Sequence, residues 1–228
     1  MGPLFVIALI VALYFGIVIS KYNKTTYKAI THNSYFSMRR DKGKYGEYKI
    51  YNYLKGYEPQ GYKFLFNIYL PKKDGQTTEL DAMMIGPEGV FVFESKNYSG
   101  WIFGNDHQKN WTQVLPAGRG KSQKEHFYNP VWQNRTHCTI LKNYLPQEVP
   151  IQSVVLFSNR CTFKDITIDS NDVIVAHRRE VSGIVRDLIQ ASKSHSANTE
   201  EIYEKLYPFT QVSDTVKQSH IDNINSFK

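Results

Sequence analysis

The chain has 228 residues and a formal net charge of +7, from 28 Lys and Arg against 21 Asp and Glu. Its 41% hydrophobic and 21% charged residues are those of an ordinary globular protein, enough for a sizeable core in one domain with appendages. Cys138 and Cys161 form no CxxC, which excludes a disulfide framework and suits a reducing compartment; no HExxH or comparable ligand spacing occurs, so His107, His126 and His137 read as polar or surface residues.

Leu4 to Ser20 (LFVIALIVALYFGIVIS) carries no charge and is long enough to cross a hydrocarbon layer, which takes about 17 to 25 apolar helical residues. A cleaved signal peptide is the main rival, but MGP lacks a basic n-region and no small-x-small site precedes Lys21. Lys21, Lys24, Lys28, Arg39 and Arg40 follow the apolar run before the first acid, Asp41. By the positive-inside rule this makes residues 1–20 a single-pass cell-membrane anchor with the rest cytosolic, and the five cations meet anionic lipid. Residues 41–228 then hold 23 basic against 21 acidic residues, a balance of +2 that speaks only weakly for DNA.

Residues 21–41 are polar without apolar periodicity and read as a basic tether. From Lys42 the pattern turns helical, with Glu47, Ile50, Tyr51 and Leu54 on one stripe, an odd place for a glutamate. Phe64–Leu70, Thr78–Ile85 and Val90–Asn97 read as strands, the last two joined by the turn GPEG. Trp101–Phe103 and Trp111–Leu115 are expected to continue that sheet. Asn129 and Pro130 start a helix that should run to about Leu145. Ser153–Phe157 and Val173–Ala176 read as buried strands, Val181–Ile189 as a helix, and 191–228 as a polar, weakly helical appendage. The fold class is α/β (α+β) over a domain at 42–190.

If Gly86 and Gly89 close the turn as a pair, Asp81 falls opposite Glu94 and Glu79 opposite Lys96, and Asp81, Glu94 and Lys96 share one face. Opposed buried carboxylates are costly unless one is protonated or a cation lies between them; hard Mg²⁺ or Mn²⁺ suits such ligands. The bland alternative is an exposed hairpin face with solvated acids. GRGKS at 118–122 fails as a phosphate loop because position 115 is leucine, although Arg119, Lys121 and Lys124 offer a mobile basic loop.

The segments GKYGEYKIYNYL, TELDAMMIGPEGVFVFESKNYSGWIFG and NPVWQN together resemble the nuclease-related domain (NERD) family of the PD-(D/E)xK nuclease superfamily, over Lys42 to Leu145. The resemblance implies a restriction-endonuclease-like mixed sheet flanked by helices. It implies Glu47 as the helix acid supporting the site, Asp81 and Glu94 as metal ligands, Lys96 as the motif lysine and Gln133 as a helix residue nearby. Leu80 stands where the superfamily pattern has proline. The expected function is a membrane-anchored, Mg²⁺- or Mn²⁺-dependent nuclease, on DNA first; the alternative is a non-catalytic module binding nucleic acid or a partner at the membrane.

Overall fold

The computed structural model describes residues 2–118, 120–192 and 197–226. Helix α1 (Pro3–Asn23) is apolar and exposed over most of its length, and is the one helix among the described residues long and apolar enough to cross a membrane. Its last turn is different: Tyr22 is buried, and its hydroxyl donates to the Asn33 carbonyl at 2.9 Å.

The expected tether at 21–41 does not hold. It folds as α2 (Thr26–Thr31) and α3 (Tyr35–Arg40), and α4 (Lys42–Leu54) follows at once. Tyr22, Tyr27, Ile30 and Met38 join the main core, with Tyr22 and Tyr27 each 5.4 Å ring to ring from Tyr48. Each helix of six residues is too short to display a period. Side-chain caps start them instead: Thr25 accepts from the Lys28 amide and Ser34 from the Ser37 amide.

The strands β1 (Lys63–Pro71), β2 (Thr77–Gly86) and β3 (Gly89–Lys96) form an antiparallel meander. After β4 (Gly100–Asn105), β5 (Asn110–Pro116) and β6 (Ser122–Tyr128), the helix α5 (Pro130–Lys142) carries the chain to β7 (Ile151–Phe157), parallel to β3. Strands β8 (Cys161–Thr167) and β9 (Val173–His177) precede α6 (Val181–Ala191), α7 (Thr199–Leu206) and α8 (Asp214–Ser226).

Two mixed sheets result, one of five strands in the order β1-β2-β3-β7-β9 and one of four in the order β6-β5-β4-β8. The 101–103 and 111–115 strands therefore do not continue the first sheet. They build the second, whose partners β6 and β8 carry exposed polar faces that hide them from a hydropathy reading. Strands β5 and β6 pair as a hairpin in which Lys124 lies across from Val114, and the Lys121 amide donates to the Gly118 carbonyl, so Lys121 and Lys124 do not sit in a loose loop; Arg119 lies outside the described residues.

Helix α5 begins as expected, Asn129 Oδ1 accepting from the Val131 amide, and ends three residues early at Lys142. The separate appendage also gives way, because Ile202 and Leu206 of α7 are buried in the main core and His220 of α8 lies against Thr77 of β2. Mixed α/β architecture with helices flanking the sheets is as the sequence indicates.

Gly89, closing the β2–β3 turn, has φ +122°, and a Cβ there would run into the Pro150 carbonyl oxygen. That carbonyl accepts from the Val90 amide at 2.9 Å, where β7 begins beside β3. Gly89→Ala should therefore lower stability by about 2 kcal/mol, the cost of a strained backbone position plus displaced packing. Urea denaturation should show a lower midpoint at unchanged slope.

Candidate active site

The GPEG turn sets the register as expected, Gly86 pairing with Gly89, and the ladder runs to Ala82 opposite Phe93. There it stops. Asp81 and Glu94 are not ladder partners, because Asp81 Oδ2 accepts from the Ser95 amide at 2.8 Å and takes the place of a main-chain carbonyl. On the other side of β2 the pairing with β1 skips Asn67 and Asp81, and Asn67 has φ +51°. The sheet thus loosens at one spot, and the acids collect around it.

Glu79 does not pair with Lys96. It accepts from the Tyr69 hydroxyl at 2.7 Å and lies 3.7 Å from His220 Nε2, under α8. Lys96 binds within its own strand and to α5: Nζ donates to Glu94 Oε1 at 2.6 Å and to Gln133 Oε1 at 2.8 Å. Glu94 is 1% exposed, so this is a buried ion pair and not a solvated hairpin face. Its second oxygen, Oε2, is 3.3 Å from His137 Nδ1 and has no aligned hydrogen-bond donor among the described residues.

Glu47 arrives from α4. Ser95 and Glu94 alternate on β3, so α4, whose Gly46 abuts Ser95, packs on the face opposite His137 and α5. Glu47 Oε2 accepts from the Asn67 amide and the Tyr27 hydroxyl, both at 3.1 Å. Tyr27 belongs to the segment expected as tether. Contacts link the expected residues in a chain that spans both faces of the sheet: Gln133 and Glu94 accept from Lys96, Asp81 accepts from the neighbouring Ser95 amide, and Glu47 accepts from Asn67, the residue across from Asp81.

The electrostatics separate the acids. Burial, then the Glu94 charge and then Glu47, raise the Asp81 carboxyl well above the usual carboxylate range. Burial and the Glu79 charge raise Glu47 to about 8, against the hydrogen bonds from Asn67 and Tyr27. Burial alone would raise Glu94 too, but Lys96 and His137 hold it down to about 2. Lys96 overcomes its own burial through Glu94 and Asp81 and stays protonated above its ordinary value. One acid is thus a fixed carboxylate, two are poised to keep a proton, and Lys96 is a fixed cation.

The donor set fits a hard divalent cation. Glu94 Oε2 is buried without a donor, and Asp81 has an oxygen besides the one given to Ser95. Sequence reasoning missed His137 and Asn67. His137 follows Gln133 by four residues on α5, and that spacing was the available signal; nothing in the sequence flags Asn67.

A second group, Asp106, His107 and Asp169, brings ligand atoms within 4.8 Å of one another. Asp106 is already engaged there, accepting from the Asp169 and Ser170 amides. A concavity of about 460 Å³ between Arg135, Cys138, Val149 and Asp172 has none of the five expected residues in its lining.

Comparison with known proteins comes to the same region. The nuclease-related domain family model matches residues 42–158. An uncharacterized protein of Bacillus anthracis is 26% identical over 185 residues, covering 81% of this chain and 84% of that protein. No solved structure matches.

The raised Glu47 carboxyl fixes a pH dependence. Its folded state keeps the proton that the unfolded chain releases near 4.5, so stability falls as pH rises from 4.5 to about 8 and is level above. Glutamine can accept the same two hydrogen bonds through its single carbonyl oxygen. Glu47→Gln should therefore flatten the thermal-melt profile across that window and leave the variant the more stable protein at its alkaline end. A profile that falls equally in both would refute the assignment.

Proposed function

Because the chain belongs to the nuclease-related domain family, we propose that it is a membrane-anchored, divalent-metal-dependent phosphodiesterase acting on nucleic acid, DNA first. The observation that carries this reading is the buried Lys96–Glu94 pair, beside a donorless carboxylate oxygen and a second carboxylate, Asp81, that burial and Glu94 keep from ionising.

Asp81 and Glu94 would hold Mg²⁺ or Mn²⁺, and when bound the ion supplies Lewis acidity toward the phosphate oxygens. Lys96 has three ammonium hydrogens, of which Glu94 and Gln133 take two. The third is left for the attacking water or a phosphate oxygen. Its raised pKa keeps it a donor and a charge stabiliser and argues against a role as the base. Glu47, held by Tyr27 and Asn67, stands as the supporting acid on the α4 side, able to accept or return a proton near neutral pH. His137 Nδ1 lies 3.3 Å from Glu94 Oε2 on the α5 side.

Helix α1 supports the placement in a membrane by its length and apolar composition, and the cations after it support a cytosolic domain. The modest +2 of residues 41–228 favours a second reading, a module that binds at the membrane without cutting, since phosphate contacts dominate affinity for long nucleic acid.

Asp81→Asn and Lys96→Met should each reduce Mg²⁺-dependent cleavage of single- or double-stranded DNA by about a hundredfold or more, with the melting transition retained. Calorimetry on the wild type should show Mn²⁺ binding coupled to proton release, because Asp81 must ionise to become a ligand. A protein that binds nucleic acid but neither Mn²⁺ nor any change from Asp81→Asn would decide for the module.

A further inference from the structure

Ser95, and Asn97 just past the end of β3, project to the face opposite Glu94 and Lys96, and each holds an arginine. Arg178 Nη2 donates to Ser95 Oγ at 3.4 Å. Arg160 Nη2 donates to the Asn97 carbonyl at 3.1 Å and to Asn97 Oδ1 at 3.2 Å, while its Nε reaches Ser158 Oγ at 3.2 Å. Arg178 is 4% exposed, and its Nε has no partner among the described residues. No described carboxylate lies within 4.0 Å of either guanidinium. Arg135, by contrast, forks onto Asp172 with two bonds of 2.7 Å.

The neighbourhood is shaped to leave room for Arg178. A Cβ on Gly46 of α4 would collide with Ser95 Oγ and stand 3.2 Å from Arg178 Nη2. Burial, opposed by Tyr53 and reinforced by the Arg160 charge, holds Arg178 below its ordinary value, so the two cations feel one another. Burying a guanidinium without a counter-charge costs several kcal/mol. The buried Arg178 and the exposed Arg160 beside it, neither facing a carboxylate, form a receptor for an anion that the protein does not itself contain.

We propose that Arg178 and Arg160 form a phosphate-binding site at the end of β3, across the strand from Lys96. The site rests on geometry alone. That its phosphate belongs to the nucleic-acid strand rests on the hydrolase reading above. Glu94 and Lys96 occupy the other face, so this phosphate is not the scissile one and serves to set the strand's position.

The test uses the full chain in detergent micelles with EDTA, so that its readout does not depend on a metal or on catalysis. The probe is a short fluorescent single-stranded oligonucleotide, with or without a 5′-phosphate, and with inorganic phosphate as competitor. Arg160→Gln, at an exposed position, should weaken binding about tenfold and make the slope of log K against log salt shallower by about one. Arg178→Lys keeps the charge, loses the fork and should weaken binding likewise. If Arg178→Lys also lowers the melting temperature, Arg160→Gln decides. Equal affinity with and without the 5′-phosphate supports an internal phosphate of the strand. A preference for the phosphorylated probe that Arg160→Gln erases supports the same site with an end phosphate as its ligand. Wild-type affinity and salt slope in Arg160→Gln, or no wild-type binding at all, would overturn the proposal. Arginine-dependent binding without any Mg²⁺-dependent cleavage would overturn the hydrolase reading alone.

Discussion

The candidate site depends on one buried ion pair. Lys96 and Glu94 lie two residues apart on β3, on the same face and at 2.6 Å, in a place where either alone would be a charge removed from water without a partner. Together they are tolerated; Gln133 from α5 accepts from Lys96, and Glu94 Oε2 beside His137 is left without an aligned donor among the described residues. The pair also sets the state of everything near it. Asp81 is discouraged from ionising partly because Glu94 is already charged, and Lys96 keeps its proton because both acids face it. A cluster poised in this way holds its acids short one positive charge, which is the condition a divalent cation relieves.

The hairpin that carries the pair was legible because its physics is local. Two apolar runs, a proline at the second position of the turn and two glycines at its ends dictate a register without help from the rest of the chain. The helix at Asn129–Pro130 was legible for the same reason. What the sequence concealed is tertiary. The ladder yields to a side-chain bond at Asp81, β1 turns through a positive φ at Asn67, and His137 comes to Glu94 only because α5 lies across the parallel β3–β7 pair. The second sheet was hidden because β6 and β8 bury so little that their polar faces dominate the pattern.

The segment before α4 shows how composition can mislead. Lys, Thr, Asn and Ser dominate residues 21–41, yet the residues buried there are aromatic or apolar: Tyr22, Tyr27, Ile30 and Met38. Tyr22 and Tyr27 pack against Tyr48, and Tyr27 in turn meets Phe66 at 4.8 Å and donates to Glu47. Tyrosine does two jobs at once here, filling the space between helices with its ring and delivering a hydroxyl to a buried acceptor. An unbroken train of rings therefore leads from the last turn of α1 to an acid of the site.

That train leaves no slack. An enzyme tied to a bilayer by a flexible leash sweeps a wide volume and meets whatever drifts through it. Here Tyr22 is both the end of the apolar helix and a member of the core, so no loose segment separates that helix from the domain that carries the candidate site. Were α1 to lie in a bilayer, the reach of the domain would be no more than its own thickness.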